Sequence, residues 1–205
     1  NIDVIVESGS ITQTFNNPRK LAINNIRYST KIYSLWSVEE KKAIGLYEVE
    51  YDNTNKKDEA WYINTNQTLA YDSSADKVVA SYGTATAKAI ADVNEVDDNG
   101  DPLLDSNGDQ IVTKGLKTVK KEMIDQQCAG ILQPSDWRVI KAKETSTTMN
   151  SAWKTWRAAV RTKCNSMQTQ IDGAANVDAL AALFTYTEQE DGSVTRPLGE
   201  FPIKE

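Results

Sequence analysis

Histidine is absent from this chain of 205 residues. That removes the commonest general base and the commonest transition-metal ligand together, and with them Ser-His-Asp and Cys-His catalysis. Cysteine occurs twice, at Cys128 and Cys164, without CxxC spacing, so thiolates alone cannot build a structural zinc site. The two fall on different predicted helices. Packed antiparallel, Cys128 is expected to level with residues near Lys154, about 15 Å along the axis from Cys164 at about 1.5 Å per residue. A disulfide needs Cα atoms about 4.4–6.8 Å apart, so two buried free thiols are expected. No apolar run approaches a membrane span, and no basic start leads into an apolar signal-like stretch. Asn1 is not an initiator residue, so the numbering is expected to begin inside a trimmed chain. A phosphate-cradling glycine loop and a Gly-x-Ser-x-Gly elbow are both missing.

What is present suffices for one well-filled domain or two small ones. Charge is segregated along the chain. Residues 1–109 carry 10 basic and 18 acidic side chains, residues 110–172 carry 11 and 5, and residues 173–205 carry 2 and 6. A basic helical segment therefore lies between two acidic ones. Internal pairing with a solvated helix face is one reading of it, and docking on an acidic neighbouring protein is the other. The acidic whole argues against nucleic acid.

Hydrophobic periodicity predicts an α+β chain, with an N-terminal antiparallel β-rich region followed by a C-terminal antiparallel helical hairpin. Ile2, Val4 and Val6 share one strand face, and Ser8-Gly9-Ser10 offers a turn before Ile11–Phe15. Residues 19–36 fit neither period and read as mixed strand and loop. Ser37-Val38-Glu39-Glu40 is a capping box, and Gly45 is placed to end the short helix that it starts. Strands are predicted at 46–51, 60–64, 68–71 and 77–82, as an antiparallel meander with one wet face. The expected organisation is a β-rich meander over 1–91, a polar finger over 92–114, the helical hairpin over 115–183 and an extended tail over 184–205. Two Asn-Gly steps, Asn99-Gly100 and Asn107-Gly108, flank Leu103-Leu104 and predict a small ribbon in the finger.

Helices are predicted at about 116–133, with a core stripe of Leu116, Val119, Met123, Ile124, Cys128, Ile131 and Leu132, and at about 149–172. Pro134 ends the first. Trp153, Trp156, Val160, Cys164, Met167 and Ile171 line the second, with Arg157 and Arg161 forming an i, i+4 pair beside or opposite that stripe. Trp137 is expected to plug the open end of the hairpin, with Asp136 capping nearby amides. If fully buried, Trp156 would cost about 3–5 kcal/mol on truncation to Ala.

Few groupings suggest chemistry. Asp97-x-Asn99-x-Asp101 matches the start of an EF-hand loop, but Pro102 stands where glycine is required and Gly108 where a bidentate glutamate belongs. Starting at Asp105 fails likewise, at Gln110 and Leu116. A surface turn with accidental cation affinity is expected, and no built metal site. Glu48 and Glu50 share a strand face, yet nothing else marks a sugar cleft, and acid on a wet sheet face accounts for them. No cofactor is implied.

The stretch from Ile131 to Leu183 resembles a module of small bacteriophage tail proteins. In these, a leucine-rich helix end runs into a Pro-Ser/Thr-Asp-Trp turn. A linker then leads to a helix with an aromatic-Arg-Ala-Ala-Val-Arg core and an Ala-Leu-Ala-Ala-Leu finish. Pro134 to Trp137, Trp156 to Arg161 and Asp178 to Leu183 match here. The resemblance implies a noncatalytic tail, baseplate or fibre-associated virion protein assembled in the host cytoplasm. A cytosolic tail-fibre assembly chaperone, absent from the particle, is the alternative, and a carbohydrate-active accessory is a third. Implied partners are other tail, baseplate or fibre proteins, or further copies in a symmetric ring, with no nucleic acid and no membrane. Candidate partner-binding residues are Leu103 and Leu104 in the finger, Arg157 and Arg161 on the helix, and Phe201 and Pro202 in the tail. The finger and tail carry apolar residues that gain little unless a neighbour covers them or each folds back on its own domain.

Overall fold

The computed structural model describes residues 2–204, which divide into two compact units with the boundary between Thr86 and Ala87. The chain is α+β, a largely antiparallel β region followed by helices. The finger, the helices that follow it and the tail all belong to the second unit.

In the first unit β1 (Asp3–Glu7) and β2 (Ser10–Phe15) form a hairpin, followed by a second, β3 (Leu21–Ile23) and β4 (Ile26–Tyr28). The second hairpin lies in the stretch that resisted assignment. Its turn is Asn24-Asn25, both at positive φ, the geometry that matches strand twist in a two-residue loop. Two short helices follow, α1 (Ile32–Leu35) and α2 (Val38–Ala43). Both bonds of the predicted capping box form: Glu40 N–H donates to Ser37 Oγ at 3.2 Å, and Ser37 N–H donates to Glu40 at 2.8 Å. Gly45 has φ +82°, and a Cβ there would lie 2.5 Å from the Val6 carbonyl oxygen, so the position needs glycine twice over.

Strands β5 (Leu46–Asp52), β6 (Tyr62–Ile63), β7 (Gln67–Asp72) and β8 (Lys77–Tyr82) lie close to the expected positions, although β6 is shorter. The expected meander is corrected in its pairing. The main sheet has the order β2-β1-β5-β8-β7, and β5 pairs with β8 in parallel, Val49 opposite Val78. The turn-rich segment after Asp52 is long enough for the chain to cross over, so β7 and β8 add as a hairpin with β8 inside. The edge strands β2 and β7 come into contact, which curls the sheet.

The wet face holds over β5 and β7, where Glu48, Glu50, Thr68, Ala70 and Asp72 are exposed, but β1 is buried on both faces. Val4 and Ile5 are adjacent in sequence and both fully buried, one on each face. Val4 joins Tyr47, Val49, Val78 and Ala80, while Ile5 joins Phe15, Leu21, Ile23, Ile32 and Leu46. The second cluster exists because β3, β4 and α1 cover the sheet at the β1–β5 end.

After β9 (Thr86–Ala87) at the boundary, the second unit opens with the finger, whose stem pairs β10 (Val93–Asn94) with β11 (Val112–Thr113). The finger is a three-way junction and not a simple ribbon. Two antiparallel bridges, Val96 with Pro102 and Leu104 with Gln110, close two small loops beyond the stem. At the centre the backbone bonds run in a ring: Glu95 N–H to Ile111, Ile111 N–H to Leu103, and Leu103 N–H to Glu95, at 2.8–2.9 Å. The Gln110 side-chain amide sits against the same three carbonyls, at 2.7–3.1 Å. Each loop repeats one device, D-x-N-G-D. Asp97 accepts the amides of Asn99 and Asp101, Asp105 accepts those of Asn107 and Asp109, and Gly100 and Gly108 turn the chain at φ +88° and +87°.

Helix α3 (Leu116–Leu132) continues through a 3₁₀ turn at Gln133–Ser135 into α4 (Asp136–Glu144), and α5 (Ser151–Gly173) and α6 (Val177–Phe184) follow. The expected linker thus contains a helix, since Pro134 ends α3 but fits the first turn of the next element. Helices α3 and α5 pack antiparallel around Leu116, Ile124, Cys128 and Leu132 against Val160, Cys164, Met167 and Ile171. Val119, expected in the stripe, is exposed.

Cys128 and Cys164 are buried free thiols, but the expected offset between them is corrected. Burial and the neighbouring Cys128 thiol push Cys164 up to about 12. The offset failed because α4 lies between the helices, so the first turns of α5 overrun the end of α3. The tail is not simply extended either. Strands β12 (Thr187–Glu188) and β13 (Val194–Thr195) form a hairpin, and Leu198 is fully buried, its N–H bonded to the Leu183 carbonyl at 3.1 Å.

The two finger aspartates lead to a pH prediction. Amides of Asp101 and then Asn99 hold Asp97 below the ordinary carboxylate value, and those of Asp109 and then Asn107 do the same for Asp105. With the folded value depressed, the stabilisation is present above the unfolded value of about 3.9 and is lost as pH falls through the folded one. In an NMR titration, the amide protons of Asn99, Asp101, Asn107 and Asp109 are expected to shift together with midpoints below about 3.9. Shifts that stay flat through that range would contradict the turns.

Candidate functional site

Asn150 caps α5, accepting the amides of Ala152 and Trp153 at 3.0 and 3.4 Å. Arg157 comes one turn before Val160 on the apolar stripe and is only 4% exposed. Its sequence placement beside or opposite the stripe is therefore corrected. One guanidinium nitrogen donates to the Leu132 carbonyl at 2.8 Å and to the Ser135 hydroxyl, and the other to Asp136 Oδ1 at 2.6 Å. Leu132 is the last residue of α3, where carbonyls lack partners within the helix. Ser135, 2% exposed, also donates to that carbonyl at 2.7 Å. A buried cation is tolerated only when paired and hydrogen-bonded, and the helix end and the following turn supply these partners. Arg157 Nε is buried without a hydrogen-bond partner among the described residues.

Here Pro-Ser-Asp-Trp meets aromatic-Arg-Ala-Ala-Val-Arg: Ser135 and Asp136 of the first grip Arg157 of the second. Asp136 thus binds a side chain, where an amide cap was expected. Trp137 does not plug the hairpin and is 51% exposed, because α4 carries it outward. Arg138 lies between two indoles, 4.5 Å from the Trp137 ring and 4.3 Å from that of Trp153. Trp153 meets Trp156 edge-on at 5.5 Å, and both are half-buried. The cost expected for a fully buried Trp156 therefore does not apply.

The tail lies back on α5. Trp156 Nε1 donates to the Pro202 carbonyl at 2.9 Å, and Lys163 Nζ donates to that of Leu198 at 2.7 Å. Phe201 and Pro202 are half-buried by this return, although Ile203 stays exposed. Leu103 and Leu104 are exposed on the finger. Arg161 is exposed on the rim of a shallow depression with Gln126, Gln133 and Asp136. The six candidates thus separate into an internal brace at Arg157, a folded-back tail, and the exposed finger and Arg161.

Glu48 pairs with Lys41 at 2.9 Å and Glu50 with Lys77 at 3.1 Å. Among the described residues no group of three or more acidic, cysteine or histidine side chains is placed to hold a metal ion, and no helix is long and apolar enough to cross a membrane. Sequence reading passed over the exposed apolar residues of α4, Val139 and Ile140. Their signal was the run Trp-Arg-Val-Ile-Lys, in a segment taken for a linker. Comparison with protein-family models, with curated proteins and with solved structures found no match.

Arg157→Lys keeps the charge and loses the planar fork that reaches three partners. It is expected to lower the stability of the helical unit by about 2–3 kcal/mol in urea, followed by helical circular dichroism. A loss below about 0.5 kcal/mol would show that the brace is dispensable.

Proposed function

We propose that this chain is a noncatalytic component of a bacteriophage virion, a tail or baseplate/fibre-associated connector that docks larger tail proteins. The observation that carries the reading is the resemblance of Ile131–Leu183 to the phage tail module. The contact between its two motifs through Ser135, Asp136 and Arg157 supports treating them as one unit. Exposed apolar side chains on the finger and on α4 suit a protein whose work is contact with other proteins.

Mass spectrometry of purified particles is expected to find this chain as a stoichiometric component. Abundant chain in infected-cell lysate with none in particles would overturn the reading and favour a tail-fibre assembly chaperone.

A further inference from the structure

Two surfaces of the second unit carry apolar side chains without cover, and their charges are opposite. On the finger, Val93, Val96, Leu103, Leu104, Ile111 and Val112 are each between 40% and 56% exposed. Around them stand Asp97, Asp98, Asp101, Asp105 and Asp109, none of which pairs with a lysine or arginine among the described residues. On α4, Trp137, Val139 and Ile140 are 44% to 57% exposed. Beside Trp137 lie Arg138 and Lys141, neither in an ion pair among the described residues, whereas Val139, Ile140 and Lys143 stand on the other side of the helix with Glu144. A groove of about 230 Å³ runs along α4, lined by Trp137, Arg138, Lys141 and Met149 among others, and it is large enough for one leucine-sized tip.

From this complementarity we propose that the acidic finger of one copy docks on the basic, apolar face of α4 of a second copy of this chain. Leu104, beside the Asp105 loop, enters the α4 groove, and the finger carboxylates face Arg138 and Lys141. The finger reaches the contact already ordered, since its ring of backbone bonds and the Gln110 amide fix it, so little conformational entropy is lost on docking. Donor and acceptor are different surfaces, so the contact is heterologous. Each copy gives one finger and receives another, and a rotation that closes makes a ring. The finger offers less than the roughly 800 Å² per partner of a standard interface, so a single contact is weak, and it weakens further in salt. This inference goes beyond the virion reading and stands on surface chemistry alone.

The test is sedimentation velocity of the purified full chain from about 5 to about 500 µM, a range that brackets weak association. It is run in about 50 mM and about 500 mM NaCl, to vary screening. The sedimentation coefficient is expected to rise with concentration at low salt, and the rise to shrink at least several-fold at high salt. Leu104→Asp and Trp137→Asp alter exposed side chains and are each expected to hold the chain monomeric with unchanged circular dichroism. Asp101→Lys and Lys141→Glu are each expected to weaken association, and the two together in one chain to restore it, which a folding defect would not do. A chain monomeric throughout overturns the contact, as does association that survives both Leu104→Asp and Trp137→Asp. Neither outcome bears on whether the chain is found in particles, which the particle measurement decides separately.

Discussion

The buried guanidinium of Arg157 is the constraint from which the arrangement of the helical unit follows. Removing a cation from water costs several kcal/mol unless its donors are satisfied, so the residues that satisfy them are held to one geometry. Here these are the last carbonyl of α3, the hydroxyl of the 3₁₀ turn and the first carboxylate of α4. That geometry also sets the helix register. With Leu132 level with Arg157, Asp125 reaches Gln168 at 2.5 Å and Lys121 reaches Asp172 at 2.8 Å. The same register brings Cys128 against Cys164. The first turns of α5 then extend past α3, where Trp153 and Trp156 pack on α4 and on the returning tail.

The elements whose signals are local were legible in the sequence. The Ser37–Glu40 capping box, the break at Gly45, the strand alternation of Tyr47 and Val49, and the span of α3 each depend on a few neighbouring residues. What depended on distant partners was not legible. The parallel pairing of β5 with β8 follows from a crossover whose residues are polar and compatible with either direction. Val4 and Ile5 are both buried, and a period of two cannot show this, because one strand then faces two cores. Asn24-Asn25 did carry a readable turn signal, hidden by the apolar residues on either side.

The candidate site was half legible. Arg157 stood out because it belongs to the Trp-Arg-Ala-Ala-Val-Arg run, but a charged side chain reads as solvated by default. The Leu132 carbonyl, with Ser135 and Asp136 brought in by a 3₁₀ turn, makes its burial tolerable. Leu103 and Leu104 stood out as apolar residues in a polar excursion, and they are exposed. The α4 surface was missed because a linker was expected there. Charge segregation, visible in the sequence as a basic segment between acidic ones, acquires a physical reading at this surface. Part of the basic charge on α4 has no carboxylate partner within the described residues, and electrostatic matching of that kind favours specificity of contact over strength.

If the Arg157 brace is what presents α4 as a platform, its loss should loosen α4 before it loosens the helices beneath. Hydrogen exchange followed by mass spectrometry on the native chain and on Arg157→Lys tests this most directly. The expected result is faster exchange across residues 136–144, with protection retained at 160–171, where Val160, Met167 and Ile171 remain fully buried. Unchanged protection of α4, or an equal loss across both segments, would contradict the account.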